Sequence, residues 1–312
     1  MALSKLAPVA LFFTFFLFAA SIRAAEATAY VIADSTTGFV LEQNHGDKKL
    51  PIGSLTKIAT AMVVLDWSEA SNSDLAQLAT VPDGATQIAA AQGVGLQPGD
   101  RCALRDLLYA ALMQSDNVAA YTLAQYVGQF IGNSSSPIET FVTQMNALAR
   151  TRGMNNTRFV NPHGLDAGEH TAPYSTAADL ARLTSYAMAN SAFRFHVSQR
   201  ERKITILTAA GAQTAYLLRN TNELLGVNSI DGVKTGTTAK AGQCVIISAS
   251  RPPETHQDGA TAVVTPRRLN VVVLGAANDR FSVAQSLLTH GWQLYDSWAA
   301  AGRPTKGWKP PR

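Results

Sequence analysis

A chain of 312 residues, 46% hydrophobic and 15% charged, is globular in composition and long enough for one large domain or two closely joined ones. Its formal net charge of +4 becomes +3 without residues 1–27 (Lys5, Arg23 and Glu26 removed) and −1 without the last four basic residues, Arg303, Lys306, Lys309 and Arg312. A nucleic-acid-binding protein carries its positive charge on a folded face, so that class is excluded.

The chain begins with Lys5, an uncharged Phe-rich stretch from Leu6 to Ile22, Arg23 and the small residues around Ala24, the order of an export signal. Ala25-Glu26-Ala27 fits a cleavage site, with Ala24 an earlier alternative. The apolar run is short for a membrane span, so cleavage is expected over a retained anchor. Residues 1–27 are therefore read as a signal peptide, 28–300 as the folded body and 301–312 as a basic, Pro-rich tail that offers no stable membrane anchor. An exported chain in the periplasm or cell-wall compartment is expected. A Cys102–Cys244 disulfide is permitted there, although Cys244 lies in a strand-like run and reads better as a small buried apolar residue.

Thr28–Ala33 and Gly38–Glu42 are predicted strands joined by a Ser-Thr-Thr-Gly turn. A helix over 54–67 follows, with Ser54 and Lys57 on one face of its first turn. A capping serine is followed three residues later by Glu or Gln, because acids suit the positive end of the helix dipole. A lysine there opposes the local electrostatics. It suits a serine nucleophile whose base is a lysine held neutral by its surroundings. A capping serine beside a solvated lysine is the competing reading.

The middle, from about residue 74 to 197, reads as mostly helical, with apolar three-and-four spacing over Leu104–Met113, Asn117–Gln129, Ile138–Arg152 and Thr176–Ala189. Ser115-Asp116-Asn117 stands between two of these helices, either as a cap or with the Asn117 amide turned to hold a substrate carbonyl while Ser115 relays protons. Strands are predicted near Arg202–Leu207, Gln213–Leu218, Ile230–Thr235, Gln243–Ala249 and Leu269–Ala276, the last two forming a hairpin with a long exposed loop around Pro252 and Pro253. Lys234-Thr235-Gly236-Thr237 ends the third of these strands. Gly236 weakens a strand unless another backbone approaches closely, as a substrate peptide would. Lys234 adds a cation, and Thr235 and Thr237 offer hydroxyls to a carboxylate; an edge strand guarded by its lysine is the alternative. Phe281, Ala284, Leu288, Trp292, Tyr295 and Trp298 mark one face of a final helix. The expected assembly is a mixed α/β fold in which the terminal strands form one antiparallel sheet flanked by helices, with an all-helical lobe inserted and the site in the cleft between.

Ser-x-x-Lys on a first helix, Ser-Asp-Asn about sixty residues later and Lys-Thr-Gly on a late strand are the motif set of the penicillin-recognising acyl-serine enzymes. With Pro51-Ile52-Gly53, Gln97-Pro98-Gly99-Asp100, Asn161-Pro162-His163-Gly164-Leu165-Asp166 and Asp231-Gly232-Val233, the chain resembles the D-alanyl-D-alanine carboxypeptidases, the low-molecular-weight penicillin-binding proteins of peptidase family S11. The resemblance covers residues 28–298 and implies the β-lactamase/transpeptidase-like fold. It implies Ser54 as the acylated nucleophile, Lys57 as its base, Ser115 as a proton relay and Asn117 as a ligand of the substrate peptide. Lys234 would keep Lys57 partly neutral. The N–H groups of Ser54 and Thr237 would form an oxyanion hole, and Thr235 and Thr237, with Gly236 between them, would take the terminal carboxylate. Arg219 is the candidate to assist. Implied partners are peptidoglycan stem peptides and, as covalent inhibitors, β-lactams; no cofactor, metal or nucleic acid is implied.

The same family's D,D-endopeptidases are also similar, through Met154–Val160 and Arg219-Asn220-Thr221-Asn222. A serine β-lactamase would need an added deacylating base, for which Glu169 is the only nearby acid and lacks the matching Asn pattern. A non-catalytic penicillin-binding sensor would not need the complete catalytic set. His163 and His170 make a poor zinc pair without a third ligand, and His163 is expected to support a loop beneath the site.

Overall fold

The computed structural model describes residues 27–88, 93–132, 135–166, 172–258 and 261–310. The signal segment before Ala27, Asn133, Glu169, His170 and the last two residues of the tail lie outside the described residues. The chain opens with β1 (Ala27–Asp34), β2 (Val40–Asn44) and β3 (Leu50–Pro51), then a 3-10 turn at Gly53–Thr56 that runs into α1 (Lys57–Ser71). Next come β4 (Leu78–Thr80), β5 (Arg101–Ala103), α2 (Leu104–Met113), α3 (Asn117–Gly128), α4 (Pro137–Thr151), β6 (Tyr174–Ser175), α5 (Ala177–Ala189) and α6 (Ser191–Val197). The last third holds β7 (Glu201–Leu207), β8 (Gln213–Arg219), β9 (Ile230–Thr238), β10 (Gly242–Asp258), β11 (Thr261–Ala276) and α7 (Arg280–Ala300).

Strands from the two ends of the chain meet, as expected, in one antiparallel sheet of order β2-β1-β11-β10-β9. Its central strands carry buried apolar residues on both faces because both faces are covered. Val272 and Leu274 of β11 belong to the same core as Ile58 and Met62 of α1, whereas Leu269, Val271 and Val273 belong to the core that holds Leu287, Trp292 and Tyr295 of α7. Side chains alternate between faces, so a sheet buried on both sides needs both sets. The face predicted for the final helix is the buried one, with Phe281 at its half-buried edge.

Two expectations need correction. The inserted lobe is not all-helical. Its helices pack beside a four-stranded sheet of order β4-β5-β7-β8, so the strands at 201–219 belong to the lobe rather than to the main sheet. Strands β4 and β5 have three residues each, too few to show an alternating pattern against helical spacing. The long exposed loop after β10 is also absent. The hairpin ladder continues from Arg251↔Arg267 to Asp258↔Thr261, and Pro252-Pro253 fall in the register shift between Arg251 and Glu254. An irregular step in the ladder is where residues without an N–H are tolerated.

Cys102 and Cys244 are both buried and unpaired, and burial raises their thiols to about 12 and about 11. Among the described residues no helix is long and apolar enough to cross a membrane.

Candidate active site

The 3-10 turn holds Ser54 half-exposed, and Lys57, the first residue of α1, is fully buried. No side chain caps either helical segment, so Ser54 is not an N-cap. Its Oγ lies 2.9 Å from Lys57 Nζ. The same Nζ donates to Asn117 Oδ1 at 2.7 Å and to the main-chain oxygen of His163 at 2.7 Å. Neither of those acceptors has a proton to give. A neutral amine has two N–H bonds, which these two oxygens consume, and its lone pair is left for the Ser54 hydroxyl. Burial lowers Lys57 from 10.5 to about 7, with Asp116 pulling the other way, so the neutral form is populated near neutrality.

The loop that presents the His163 carbonyl is knotted in place. Thr60 Oγ1 donates to Pro162 O at 2.6 Å, Gly164 N donates to Asn161 Oδ1 at 2.7 Å, and Asn161 Nδ2 donates to Leu165 O at 2.8 Å. Gly164 (φ +89°) is required there, since a Cβ would fall 2.0 Å from Gly53 O. The His163 ring accepts from Leu165 N at Nδ1, and burial beside Lys57 lowers it to about 3. Its ring is therefore neutral and structural, and its carbonyl is the part that faces the site. Among the described residues no cluster of three metal-ligating side chains occurs.

The capping reading of Ser115-Asp116-Asn117 falls on Asp116. Asp116 caps α3, accepting from Ala119 N at 2.8 Å and also from Val94 N at 2.7 Å. Asn117, first in the helix, turns its amide to Lys57. Ser115 occupies a left-handed turn (φ +65°) that Asp116 N closes onto Ala110 O at 3.0 Å.

Strand β9 lies directly against the Ser54 turn. A Cβ on Gly236 would meet Ile52 O at 3.0 Å and Leu55 N at 3.2 Å. The approaching backbone that Gly236 accommodates is thus the protein's own turn. Lys234 is buried, donates to Thr235 O at 2.9 Å, and is held well below its usual range by burial, Lys57 and Arg280. Thr235 Oγ1 lies 2.7 Å from Thr221 Oγ1, which reaches Met113 O at 3.1 Å. With the Thr221 proton on Met113, Thr235 donates to Thr221 and presents lone pairs to the cleft. Thr237 is exposed, and its Oγ1 accepts from Arg280 Nη1 at 2.8 Å; the same nitrogen donates to Gly236 O at 3.2 Å.

Arg280 is the residue that sequence reasoning missed. Arg219, chosen instead, lies on β8, is largely exposed and pairs with Glu201 at 3.4 Å. A signal was present. Arg280 is the first residue of α7, a cation at the positive end of a helix, the same anomaly that singles out Lys57. Opposite Arg280, Asp166 ties the 161–166 loop to the turn after β9, accepting from Thr238 Oγ1 at 3.1 Å and from Lys240 N at 3.3 Å.

A hydroxyl facing a neutral amine, beside cations flanking an exposed threonine, is equipped for acyl transfer to serine from a substrate with a free carboxylate. Comparison with known proteins agrees. The family model Peptidase S11, D-alanyl-D-alanine carboxypeptidase, matches residues 17–278. The chain is 32% identical over 298 residues to the D-alanyl-D-alanine carboxypeptidase DacC of Escherichia coli, covering 90% of this chain and 67% of that protein. It is 35% identical over 223 residues to a D-alanyl-D-alanine endopeptidase of Pseudomonas aeruginosa, covering 70% and 65%. The chain thus spans about two thirds of the length of these relatives. Among solved structures, the Streptomyces K15 DD-transpeptidase superposes with a TM-score of 0.73 at 29% identity, over 86% of this chain and 97% of that one. Penicillin-binding protein D2 of Listeria monocytogenes in its ampicillin-bound form gives 0.65 at 28%, over 85% and 97%.

Proposed function

Because the chain belongs to the S11 family of serine-type D-alanyl-D-alanine carboxypeptidases, which act on peptidoglycan peptides and bind β-lactams, we propose that it removes the terminal D-alanine of peptidoglycan stem peptides through an acyl-enzyme on Ser54. The observation that carries this reading is the Lys57 amine, whose two N–H bonds are consumed by Asn117 and His163 while its lone pair meets Ser54 Oγ.

Ser54 gives its proton to Lys57 as its oxygen bonds to the carbonyl carbon between the last two D-residues. The backbone N–H groups of Ser54 and Thr237 receive the developing oxyanion. The C–N bond then breaks, and the proton returns through Ser115 to the departing amine. Water attacks the ester, a proton passes back by the same route, and Ser54 is restored. Thr237 and Arg280 hold the terminal carboxylate, while burial in this site disfavours the charged form of both Lys57 and Lys234. The segment before Ala27 delivers the chain to the periplasm or cell-wall compartment as an export signal.

A second reading, cleavage of peptidoglycan cross-links by the same serine, is favoured by the 35% identity to a D-alanyl-D-alanine endopeptidase. Digestion of purified muropeptides separates the two. Free D-alanine from pentapeptides supports the first reading, and conversion of cross-linked dimers to monomers supports the second. Intact-mass measurement with a labelled β-lactam tests the shared step: a single adduct is expected, absent in Ser54→Ala. An adduct of equal size on the Ser54→Ala protein would refute the acyl-serine mechanism.

A further inference from the structure

At the far end of the main sheet lies a cavity of about 540 Å³ that the proposed reaction does not use. Thr235, Val245 and Val273 share one register line. Arg268, which lines the cavity, is five residues further along β11 and away from Thr237, roughly 17 Å at the usual rise of a strand. The cavity is therefore a separate place on the molecule.

Four arginines from four elements line it: Arg152 at the end of α4, Arg182 on α5, Arg194 on α6 and Arg268 on β11. Among the described residues no acid does. Each guanidinium is steadied by a contact outside the lining or at its edge. Arg182 meets Asp179 at 2.9 Å, Arg268 meets both oxygens of Asp231 at 2.6 and 2.7 Å, and Arg194 donates to Met188 O at 2.9 Å. Arg152 stacks on the Tyr186 ring, 3.6 Å from its centroid. A guanidinium has five N–H donors, so these contacts fix its plane and leave donors for a ligand. Asp66, Asp179 and Asp231 offset part of the charge without supplying an acceptor to the wall.

Hydroxyls complete the lining. The buried Asn270 donates through Nδ2 to Ser35 Oγ at 2.9 Å and to Ser185 Oγ at 3.1 Å. Both serines line the cavity, and with an acceptor site already filled each has its own O–H to donate. Donors thus converge from the turn after β1, from three helices and from β11. That arrangement exceeds what the two oxygens of one carboxylate accept and suits the tetrahedral oxygens of a phosphate group.

We propose that this cavity is a phosphate-binding site, occupied by a phosphate monoester or diester either in solution or at the surface of an anionic bilayer. Occupancy there would hold the enzyme at a phosphate-bearing surface without entering the Ser54 site.

The test is calorimetric titration of the full chain with inorganic phosphate, repeated for Arg182→Gln and for Ser185→Ala, with melting temperature as the control for folding. Saturable one-site binding is expected, weakened about tenfold or more in Arg182→Gln, the loss that removing one charge-assisted hydrogen bond produces, and by less in Ser185→Ala. Absence of saturable binding, or equal binding by correctly folded variants, overturns the proposal. Co-sedimentation with phosphatidylcholine vesicles containing phosphatidylglycerol then identifies the source. Vesicle binding that free phosphate displaces supports a bilayer headgroup. Phosphate binding with no vesicle binding supports a soluble phosphate ligand. Vesicle binding that persists in saturating phosphate overturns the proposal, because it places the attraction elsewhere on the surface.

Discussion

Five helix starts in this molecule fall into two groups. Those at α3, α5 and α6 follow the usual chemistry: Asp116, Thr176 and Asn190 each accept a first-turn N–H through their side chains. The starts of α1 and α7 depart from it, α1 in cap and charge and α7 in charge alone. α1 begins on Lys57 with no side-chain cap, and α7 places Arg280 immediately after its cap, Asp279. In both, a cation sits where the dipole is positive, and in both that cation reaches into the Ser54 cleft. A local rule broken at two places that converge in space marks chemistry rather than stability.

The sharpest way to break this contrast is Lys57→Arg. The charge is kept, but a guanidinium does not give up its proton, so acylation of Ser54 by a labelled β-lactam should fall about 10²–10⁴-fold, the usual worth of a general base. Near-normal acylation would make Lys57 a structural cation. Arg280→Gln comes next. Losing a charge-assisted hydrogen bond to a carboxylate costs about 1.5–3 kcal/mol, so kcat/KM for a D-alanine-terminated peptide should drop about 10–100-fold. Arg219→Gln, on the exposed pair with Glu201, should leave it unchanged. The reverse ranking would restore the sequence-based choice.

Why Arg219 was preferred shows where legibility in the sequence ends. Ser54, Lys57, Asn117 and Lys234 were readable because each stands in a short motif whose spacing is set by one turn of helix or one strand. The convergence of Arg280 on Thr237 depends on α7 starting beside the end of β9, two elements that are neighbours in space and more than forty residues apart in sequence. The main sheet was legible for a similar reason, since β1, β10 and β11 carry unbroken apolar runs. The small sheet was not, because β4 and β5 bury one and two residues each and gain their pairing only when β7 is alongside. The role of the His163 carbonyl was equally hidden, as a main-chain oxygen leaves no mark in side-chain chemistry.

A smaller effect should come from Asp116, which belongs to both groups: it caps α3 conventionally and it opposes the lowering of Lys57. Lys57 is active when neutral, so acylation should decline as pH falls through about 7. Asp116→Asn removes a negative charge that favours the protonated lysine, so the folded-state pKa of Lys57 drops further and the acid limb of the rate profile moves to lower pH. Asn is itself a good cap, so α3 should persist. A limb that stays in place would show that Asp116 acts only through its bonds to Ala119 and Val94.

The smallest expected effect tests the other half of the contrast. Thr176 accepts from Asp179 N at 3.0 Å and takes no part in the Ser54, Lys57 and Asn117 contacts, at the start of a helix that packs on the main sheet. Thr176→Ala leaves that buried donor without its acceptor and should cost about 1 kcal/mol of stability, as cap removal generally does. Denaturant unfolding should show the loss while kcat/KM and the pH profile of acylation stay as in the parent. Lys57 should behave differently. Lys57→Met leaves the Asn117 amide oxygen and the His163 carbonyl without their donor, so it should abolish acylation and lower stability together. If Thr176→Ala altered the acylation profile instead, the division between starts that serve folding and starts that serve chemistry would fail at α5, the helix joining the cleft lobe to the main sheet.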